Sequence, residues 1–309
     1  MPHLPPHSPP HPFANPPHLP TGYEGIPALR YYNHERAAEG AQELVTWLQG
    51  RRIAILTGAG CSTDSGIPDY RSEESLKRKR NPIQYNHFLR DLSARRRYWA
   101  RSFVGWPKFR DKEPNLTHQI LARFEQQGRM TGLITQNVDR LHHKAGSSRI
   151  IELHGALADV RCLDCGLFEP RDDVQARLAE CNAAWHAEVL SIAPDGDVDL
   201  PQEAYDSFEM VNCLRCHGPL KPHVVFFGEN VAQEVVQAAW DIVGQADALL
   251  VLGSSLTVYS GYRFVKGAAE QEKPVAIVNL GATRGDPHAS LRLDLPLKIV
   301  MPHLEALLS

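Results

Sequence analysis

The sequence holds only six cysteines and four methionines, and no apolar run in it reaches the roughly 20 residues that a bilayer span requires. Six cysteines are too few for a disulfide scaffold in a chain this long. Four of them fall in two Cys-x-x-Cys pairs, which in a reducing compartment points to metal before disulfide. A surplus of charge of one sign is also missing. The formal net charge of −3 gives no global pull toward nucleic acid or a membrane surface. The beginning lacks the basic start and apolar core of a secretory signal. No Arg precedes Arg30, unlike a mitochondrial transit peptide. What remains is an ordinary globular chain, with the cytoplasm as the expected location, no membrane partner, nucleic acid disfavoured and a monomer expected.

Charge is uneven locally. Residues 71–110 carry twelve Lys/Arg against Glu73, Glu74 and Asp91, while 180–210 carry eight acidic residues and no Lys or Arg. Two solvated faces of opposite sign explain this, and so does a basic flank near an anionic cofactor or an acidic partner. Residues 1–20 hold nine prolines among His3, His7, His11 and His18. Proline removes backbone donors and nothing there can build a core, so 1–30 is expected to be a disordered or polyproline tail. The folded part is expected over 31–308.

From Tyr31 on, helical and strand patterns alternate. His34 to Gln49 places Ala38, Leu44, Trp47 and Leu48 at helical spacing, and Ile53–Thr57 is an apolar run ending in Gly58-Ala59-Gly60. Asn115–Gln127 reads as an amphipathic helix and 132–135 as a strand. The spacing then predicts helices over 231–245 and 260–272 and strands over 248–252, 275–278 and 297–300. Strands repeatedly followed by helices mean an α/β fold with a doubly wound, parallel, Rossmann-like sheet, whose ligands bind beyond the C-terminal strand ends. Residues 157–222 break the rhythm and read as a small inserted module.

Three kinds of residue carry chemistry. Gly58-Ala-Gly60 after a strand lets backbone N–H groups approach a phosphate, although the run departs from the usual dinucleotide fingerprint, with Ser62 rather than Gly two residues after Gly60. A tight turn without a ligand is the plain alternative. Pro68-Asp69-Tyr70-Arg71 adds a rigid turn, an acid, an aromatic and a cation. Gln136-Asn137-Val138-Asp139, Gly253-Ser254-Ser255 and Asn279-Leu280-Gly281 put amides, hydroxyls and carboxylates at strand ends, where they suit ribose hydroxyls and a carboxamide or simply cap the next helix. His154 in Glu152-Leu-His-Gly155 is a general-base candidate, since imidazole titrates near neutral pH, or a satisfied structural histidine. Cys162, Cys165, Cys213 and Cys216 supply four thiolates, and four protein ligands on a tetrahedral ion leave no open position, so one structural zinc is expected. Cys61 is either a reactive thiol or a small packing residue.

From about residue 31 to 308 the chain resembles the sirtuin (Sir2) family. The motifs are GAGCSTDSGIPDYR (58–71), TQNVDRLH (135–142), ELHG (152–155), the two cysteine pairs, VVFFGE (224–229), GSSL (253–256) and VNLG (278–281). Tyr98–Trp106, Ala193–Val198 and Val258–Tyr262 resemble class II sirtuins, the branch with a mitochondrial lipoamidase and ADP-ribosyltransferase type. The resemblance implies an enzyme that uses NAD to remove acyl groups from lysines of proteins, releasing nicotinamide and passing the acyl group to ADP-ribose.

It also implies roles residue by residue. Gly58, Ala59 and Gly60 would line the pyrophosphate; Asp69, Tyr70 and Arg71 would belong to a cofactor loop, with Tyr70 over the nicotinamide. Gln136, Asn137, Val138 and Asp139 would hold ribose and carboxamide, with Asn137 also a catalytic residue. Gly253, Ser254, Ser255, Asn279, Leu280, Gly281 and Leu297 would hold the adenosine half. His154 would accept a proton from a ribose hydroxyl. Val225, Phe226, Phe227, Gly228 and Glu229, in a strand over 224–229, would pair with the acyl-lysine peptide. Tyr70 replaces the commoner Phe, and Ser260 stands where many relatives have Pro, which leaves acyl and peptide preference open. Mono-ADP-ribosyl transfer and lipoamidase activity share the same site residues; an NAD or ADP-ribose sensor is the non-enzymatic alternative.

Overall fold

The computed structural model describes residues 34–69, 83–187, 191–192, 198–201 and 203–308. The expected 1–30 tail, Tyr70, Arg71 and residues 193–197 lie outside the described residues. The chain begins with α1 (His34–Leu48), β1 (Ile53–Thr57), α2 (Tyr85–Arg90), α3 (Leu92–Arg110), α4 (Leu116–Gln126), β2 (Met130–Thr135), α5 (Leu141–Lys144) and β3 (Ile150–Glu152). It then passes through β4 (Gly155–Cys162), β5 (Phe168–Pro170), α6 (Arg171–Cys181), the two-residue strands β6 (Ser191–Ile192) and β7 (Val198–Asp199), α7 (Glu203–Asp206) and β8 (Leu220–Val224). It returns as α8 (Gln233–Gly244), β9 (Ala248–Leu252), α9 (Tyr259–Glu270), β10 (Val275–Val278), β11 (Leu291–Leu293) and α10 (Leu297–Leu308).

Six strands form one sheet in the order β11-β10-β9-β1-β2-β3, every pair parallel. Parallel strands covered on both faces read as unbroken apolar runs. All five residues of β1 and all five of β9 are buried. Side chains alternate between the faces. Ile53 and Ile55 join a core with α1, α4 and α10, while Ala54 and Leu56 join one with α8 and α9. Between β1 and β9 the strand order reverses direction, and such a switch point opens a crevice at the C-terminal edge.

One expected element changes type. Residues 297–300 are the first turn of α10, and the last strand is Leu291–Leu293. Leu297, Val300, Met301 and Leu304 are buried at helical spacing, and a four-residue apolar run cannot by itself tell that period from a strand. Asn115, expected inside a helix, caps it instead. Its side chain accepts from Thr117 N–H at 2.9 Å, and His118 Nδ1 accepts from Asn115 N–H at 3.3 Å.

A second, smaller unit is built on the antiparallel sheet β5-β4-β8. Its core joins Val160, Val174, Leu178 and Leu220 from the stretch after β3 with Phe88, Tyr98 and Trp99 from α2 and α3. Two separate excursions of the chain therefore make this unit. Arg171, only 2% exposed, lies between the rings of Trp99 and Trp106, 5.4 Å from each centroid, and donates to the Ser102 carbonyl at 3.2 Å. That fixes α3 to α6.

Candidate active site

The two loops at the switch point hold each other. Gly58 N–H donates to the Leu252 carbonyl at 3.1 Å and Gly60 N–H to the Gly253 carbonyl at 2.9 Å. A Cβ on Gly58 would meet Ser254 Cβ at 2.7 Å, and one on Gly60 the Gly253 backbone at 3.0 Å. The donors of both glycines and the space of their missing side chains thus serve the facing loop.

A chain of side-chain hydrogen bonds runs along this edge. Asn137 Nδ2 donates to the Gly58 carbonyl at 3.0 Å and to Ser62 Oγ at 2.9 Å. Ser62 Oγ–H donates to Asp139 Oδ2 at 2.6 Å, and Leu141 N–H donates to Asp139 Oδ1 at 2.9 Å. Burial raises the Asp139 pKa above the ordinary carboxylate value, while those two donors pull it back. Gln136 Nε2 donates to Ser254 Oγ at 2.8 Å, which also accepts from Leu256 N–H at 3.2 Å. Ser62 was absent from the expected site and is its hub. The signal was present in GAGCS, since a hydroxyl both donates and accepts and so can join an amide to a carboxylate.

Behind the loop lie Cys61, His118 and His142, all buried. Cys61 packs in the core under α1, α4 and α10, and burial, then Asp139 and Asp64, pushes its thiol far above its ordinary value, which suits a packing residue. Desolvation brings His118 down to about 4. Its Nδ1 takes the Asn115 N–H, and its Nε2 lies 3.4 Å from Ser62 Oγ, so both nitrogens serve the fold.

His154 lies at the end of β3, partly buried. Its Nδ1 is 2.9 Å from the Gln136 carbonyl oxygen and its Nε2 is 2.7 Å from Ser260 Oγ. A carbonyl only accepts, so the neutral ring carries its proton on Nδ1 and leaves Nε2 as the basic atom. Burial lowers its pKa, against a smaller upward pull from the Gln136 carbonyl. The ring is thus held in one tautomer with the basic lone pair turned toward α9. Gly155, at φ +73°, follows immediately, and a Cβ there would strike the His223 carbonyl oxygen at 2.0 Å.

The four module cysteines converge. Sγ of Cys162 lies 3.4 Å from that of Cys216, and Cys165 Sγ lies 3.7 Å from Cys213 Sγ, with all four within 4.8 Å of one another. Four thiolates about 2.3 Å from one tetrahedral zinc would be spaced about 3.8 Å apart, so the set fits that ion. Cys165 N–H and Arg215 N–H point at Cys162 and Cys213 sulfurs at 3.5 and 3.4 Å, which suits thiolates. The Leu167 N–H, against a smaller effect of burial, and then Arg215 hold the Cys165 thiol down to about 6.

The remaining expected residues scatter more. Strand β8 ends at Val224, so the expected strand over 224–229 is corrected to a strand end followed by a turn. Glu229 N–H donates to the Phe226 carbonyl at 3.0 Å and Gly228 adopts φ +81°. Phe226 is 8% exposed and packs on Phe88 and Tyr98, whereas Phe227 is 46% exposed. Val225 N–H donates to the His154 carbonyl at 2.9 Å, and Glu229 pairs with Lys221 at 2.9 Å. Asn279 donates within its own turn to the Leu280 and Gly281 carbonyls. Gly281 N–H donates to Asp294. Leu297 is 5% exposed on the first turn of α10, in the core cluster that also holds Cys61. Val138 packs beside Ile67 and Leu141, Ser255 Oγ lies 3.1 Å from Thr257 Oγ1, and Asp69 lies in the loop before the undescribed residues.

A polar ring at the switch point of a parallel sheet, with a fixed imidazole on its border, defines a nucleotide-using enzyme of the Rossmann type. A model of the Sir2 family matches residues 58–260, and the chain belongs to that family. An NAD-dependent protein deacetylase 2 of Bradyrhizobium diazoefficiens is 48% identical over 262 residues, which cover 85% of this chain and 95% of that protein. A mitochondrial NAD-dependent protein lipoamidase sirtuin-4 of Bos taurus is 51% identical over 247 residues, covering 79% of this chain and 78% of the relative. Among solved structures, a Sir2 protein with a p53 peptide and NAD+ superposes with a TM-score of 0.67 at 30% identity, over 85% of this chain and 95% of that one.

Proposed function

We propose that this chain is an NAD-dependent protein lysine deacylase with His154 as its general base. The observation that carries the reading is the fixed tautomer of His154 at the C-terminal edge of the sheet. A neutral Nε2 within reach of the crevice is what proton removal from a sugar hydroxyl requires, and such a base contributes about 10²–10⁴ in rate. NAD, as co-substrate, would supply a ribose carbon: the acyl oxygen of the modified lysine would bond to that carbon as its bond to nicotinamide breaks and free nicotinamide leaves. The chain holds both reactants in one cleft. Asn137, Asp139 and Gln136 offer the amide and carboxylate groups that fit ribose and carboxamide, and the crossing loops Gly58–Gly60 and Gly253–Ser255 line the phosphate and adenosine side. Much of the rate then comes from orientation. The cysteine quartet, with its zinc, holds the module that carries Val225–Glu229 beside His154 and plays no part in the chemistry.

The name of the Bos taurus relative supports a second reading for the acyl group, a lipoyl-type chain, and mono-ADP-ribosyl transfer would use the same residues. Placement in the cytoplasm belongs to the proposal and rests on the sequence; the relative named as mitochondrial makes cell fractionation the deciding measurement. The enzymatic test incubates the purified chain with NAD and a panel of acyl-lysine peptides, read by mass spectrometry. Nicotinamide release that depends on an acylated peptide, with matching deacylated product, supports the reading. Release at the same rate without peptide overturns it.

A further inference from the structure

Ser260 has no part in the reaction as set out above, yet its hydroxyl is the group in contact with the basic atom of His154. The contact has a definite cause in the fold. Gly261 follows Ser260, and a Cβ there would lie 2.5 Å from Gln136 Oε1, so the first turn of α9 presses directly onto the end of β2. That approach brings Ser260, 9% exposed, to 2.7 Å from His154 Nε2, while the backbone of the same Gln136 supplies the carbonyl on Nδ1. The imidazole is thus gripped at both nitrogens, by β2 and by α9.

We propose that Ser260 is the positioning residue that sustains the basicity of His154, an inference that rests on the deacylase reading. The two partners of the ring differ in kind. The Gln136 carbonyl can only accept, so it fixes the tautomer. A serine hydroxyl can do either. To neutral His154 it donates its hydrogen at the single lone pair of Nε2, and it must turn aside for the ribose hydroxyl to reach that lone pair; once Nε2 has taken the proton, the serine oxygen accepts the new N–H. In the proton transfer the O–H bond of the ribose hydroxyl breaks, its electron pair stays on the sugar oxygen, and an N–H bond forms at Nε2. A hydrogen bond to a charged group is roughly twice as strong as one between neutral groups, so the serine favours the protonated ring on balance.

Among the described residues no other group does this work. The ionisable side chains on the described elements around His154 are Asp139 and Arg140 after β2, Glu152 on β3, Asp159, Arg161 and Cys162 on β4, Lys221 and His223 on β8, Glu229 in the turn after it, and Tyr259, Tyr262, Arg263, Lys266 and Glu270 on α9. None of their charges figures among the causes that set its pKa, which are burial and the Gln136 carbonyl. With burial disfavouring the charged ring and no carboxylate bonded to it among the described residues, the hydroxyl is the group there to receive the Nε2 proton.

The test compares wild type, Ser260→Ala and Ser260→Thr at full length. An NMR titration of the His154 ring reads its pKa without reference to activity. In Ser260→Ala it should fall by about half a pH unit or more, and in Ser260→Thr it should return toward wild type. In the deacylation assay Ser260→Ala should lose about three- to tenfold in kcat, with KM for NAD and nicotinamide exchange within about twofold. The acid limb of kcat/KM should move to lower pH. A His154 pKa unchanged or raised in Ser260→Ala overturns the proposal, as does equal loss in the Thr and Ala variants at unchanged melting temperature. If the wild type proves inactive on every acyl peptide, the deacylase reading fails, while the titration still decides whether Ser260 sets the basicity of His154.

Discussion

At the switch point of the large sheet, Asn137 reaches back 79 residues to the Gly58 carbonyl and Gln136 reaches forward 118 residues to Ser254. In the small unit, Cys162 and Cys216, 54 residues apart, bring their sulfurs to 3.4 Å. Both regions join distant stretches of chain, by different means. The sheet edge is assembled by two apolar cores that fix the strand ends, and its hydrogen bonds then fall into place one by one. The module has one core of its own, drawn from two excursions of the chain, together with four thiolates that need an ion. Single polar changes at the sheet edge should therefore cost activity before stability, and changes at the cysteines should cost stability first.

The largest effect is expected where the metal replaces core. Cys162→Ser should lose zinc and several kcal/mol of stability, because metal binding and folding are coupled at such sites. Metal analysis with thermal melting checks this, and a variant that keeps both its zinc and its melting temperature would erase the contrast. His154→Ala tests the opposite side. Turnover should drop by about 10²–10⁴ at matched folded concentration, with melting temperature unchanged and nicotinamide exchange less affected than product formation. A variant that keeps more than about a tenth of wild-type turnover removes His154 from the mechanism.

Gly155→Ala sharpens the boundary between the two regions. The residue joins His154 to the small sheet at φ +73°, where a Cβ would strike a backbone carbonyl. A loss of about 2–3 kcal/mol is expected together with reduced turnover, since β4 must shift and His154 with it. Denaturant melts and kinetics on one preparation show whether stability and activity fall together, unlike the separation expected at Cys162 and His154.

The smallest expected effect is a pH dependence. His118 is held neutral in the fold, with a pKa brought from 6.5 to about 4 by desolvation. The unfolded chain binds that proton first, so this contribution is fully present above about pH 6.5 and is lost as pH falls toward 4, with about 2 kcal/mol gone by pH 5. Urea melts at pH 7 and pH 5 should show the loss, and His118→Gln should flatten it. An equal slope in the variant would assign the loss to other groups.

The parallel strands were legible because burial on both faces writes them as apolar runs, as in Ile53–Thr57 and Ala248–Leu252. Residues 297–300 misled because an apolar tetrapeptide satisfies both periods, and helical character shows only when Met301 and Leu304 are counted with it. The cysteine spacing announced a quartet, which the sulfur distances fit. The share of α2 and α3 in the module's core was not legible, since Phe88 and Trp99 carry no mark of the surface they will cover.

By itself the sequence determined the alternation of elements, the family, the four cysteines and the histidine at a strand end. These depend on local period and on the chemistry of single residues, which the order of residues states directly. Only the tertiary structure decided that the glycine N–H groups serve the facing loop, that Ser62 ties Asn137 to Asp139, and that Ser260 meets His154 across 106 residues. Each of these is a contact between strand ends whose separation is set by sheet order and by the packing of α9 on β2, and neither quantity is local to any motif.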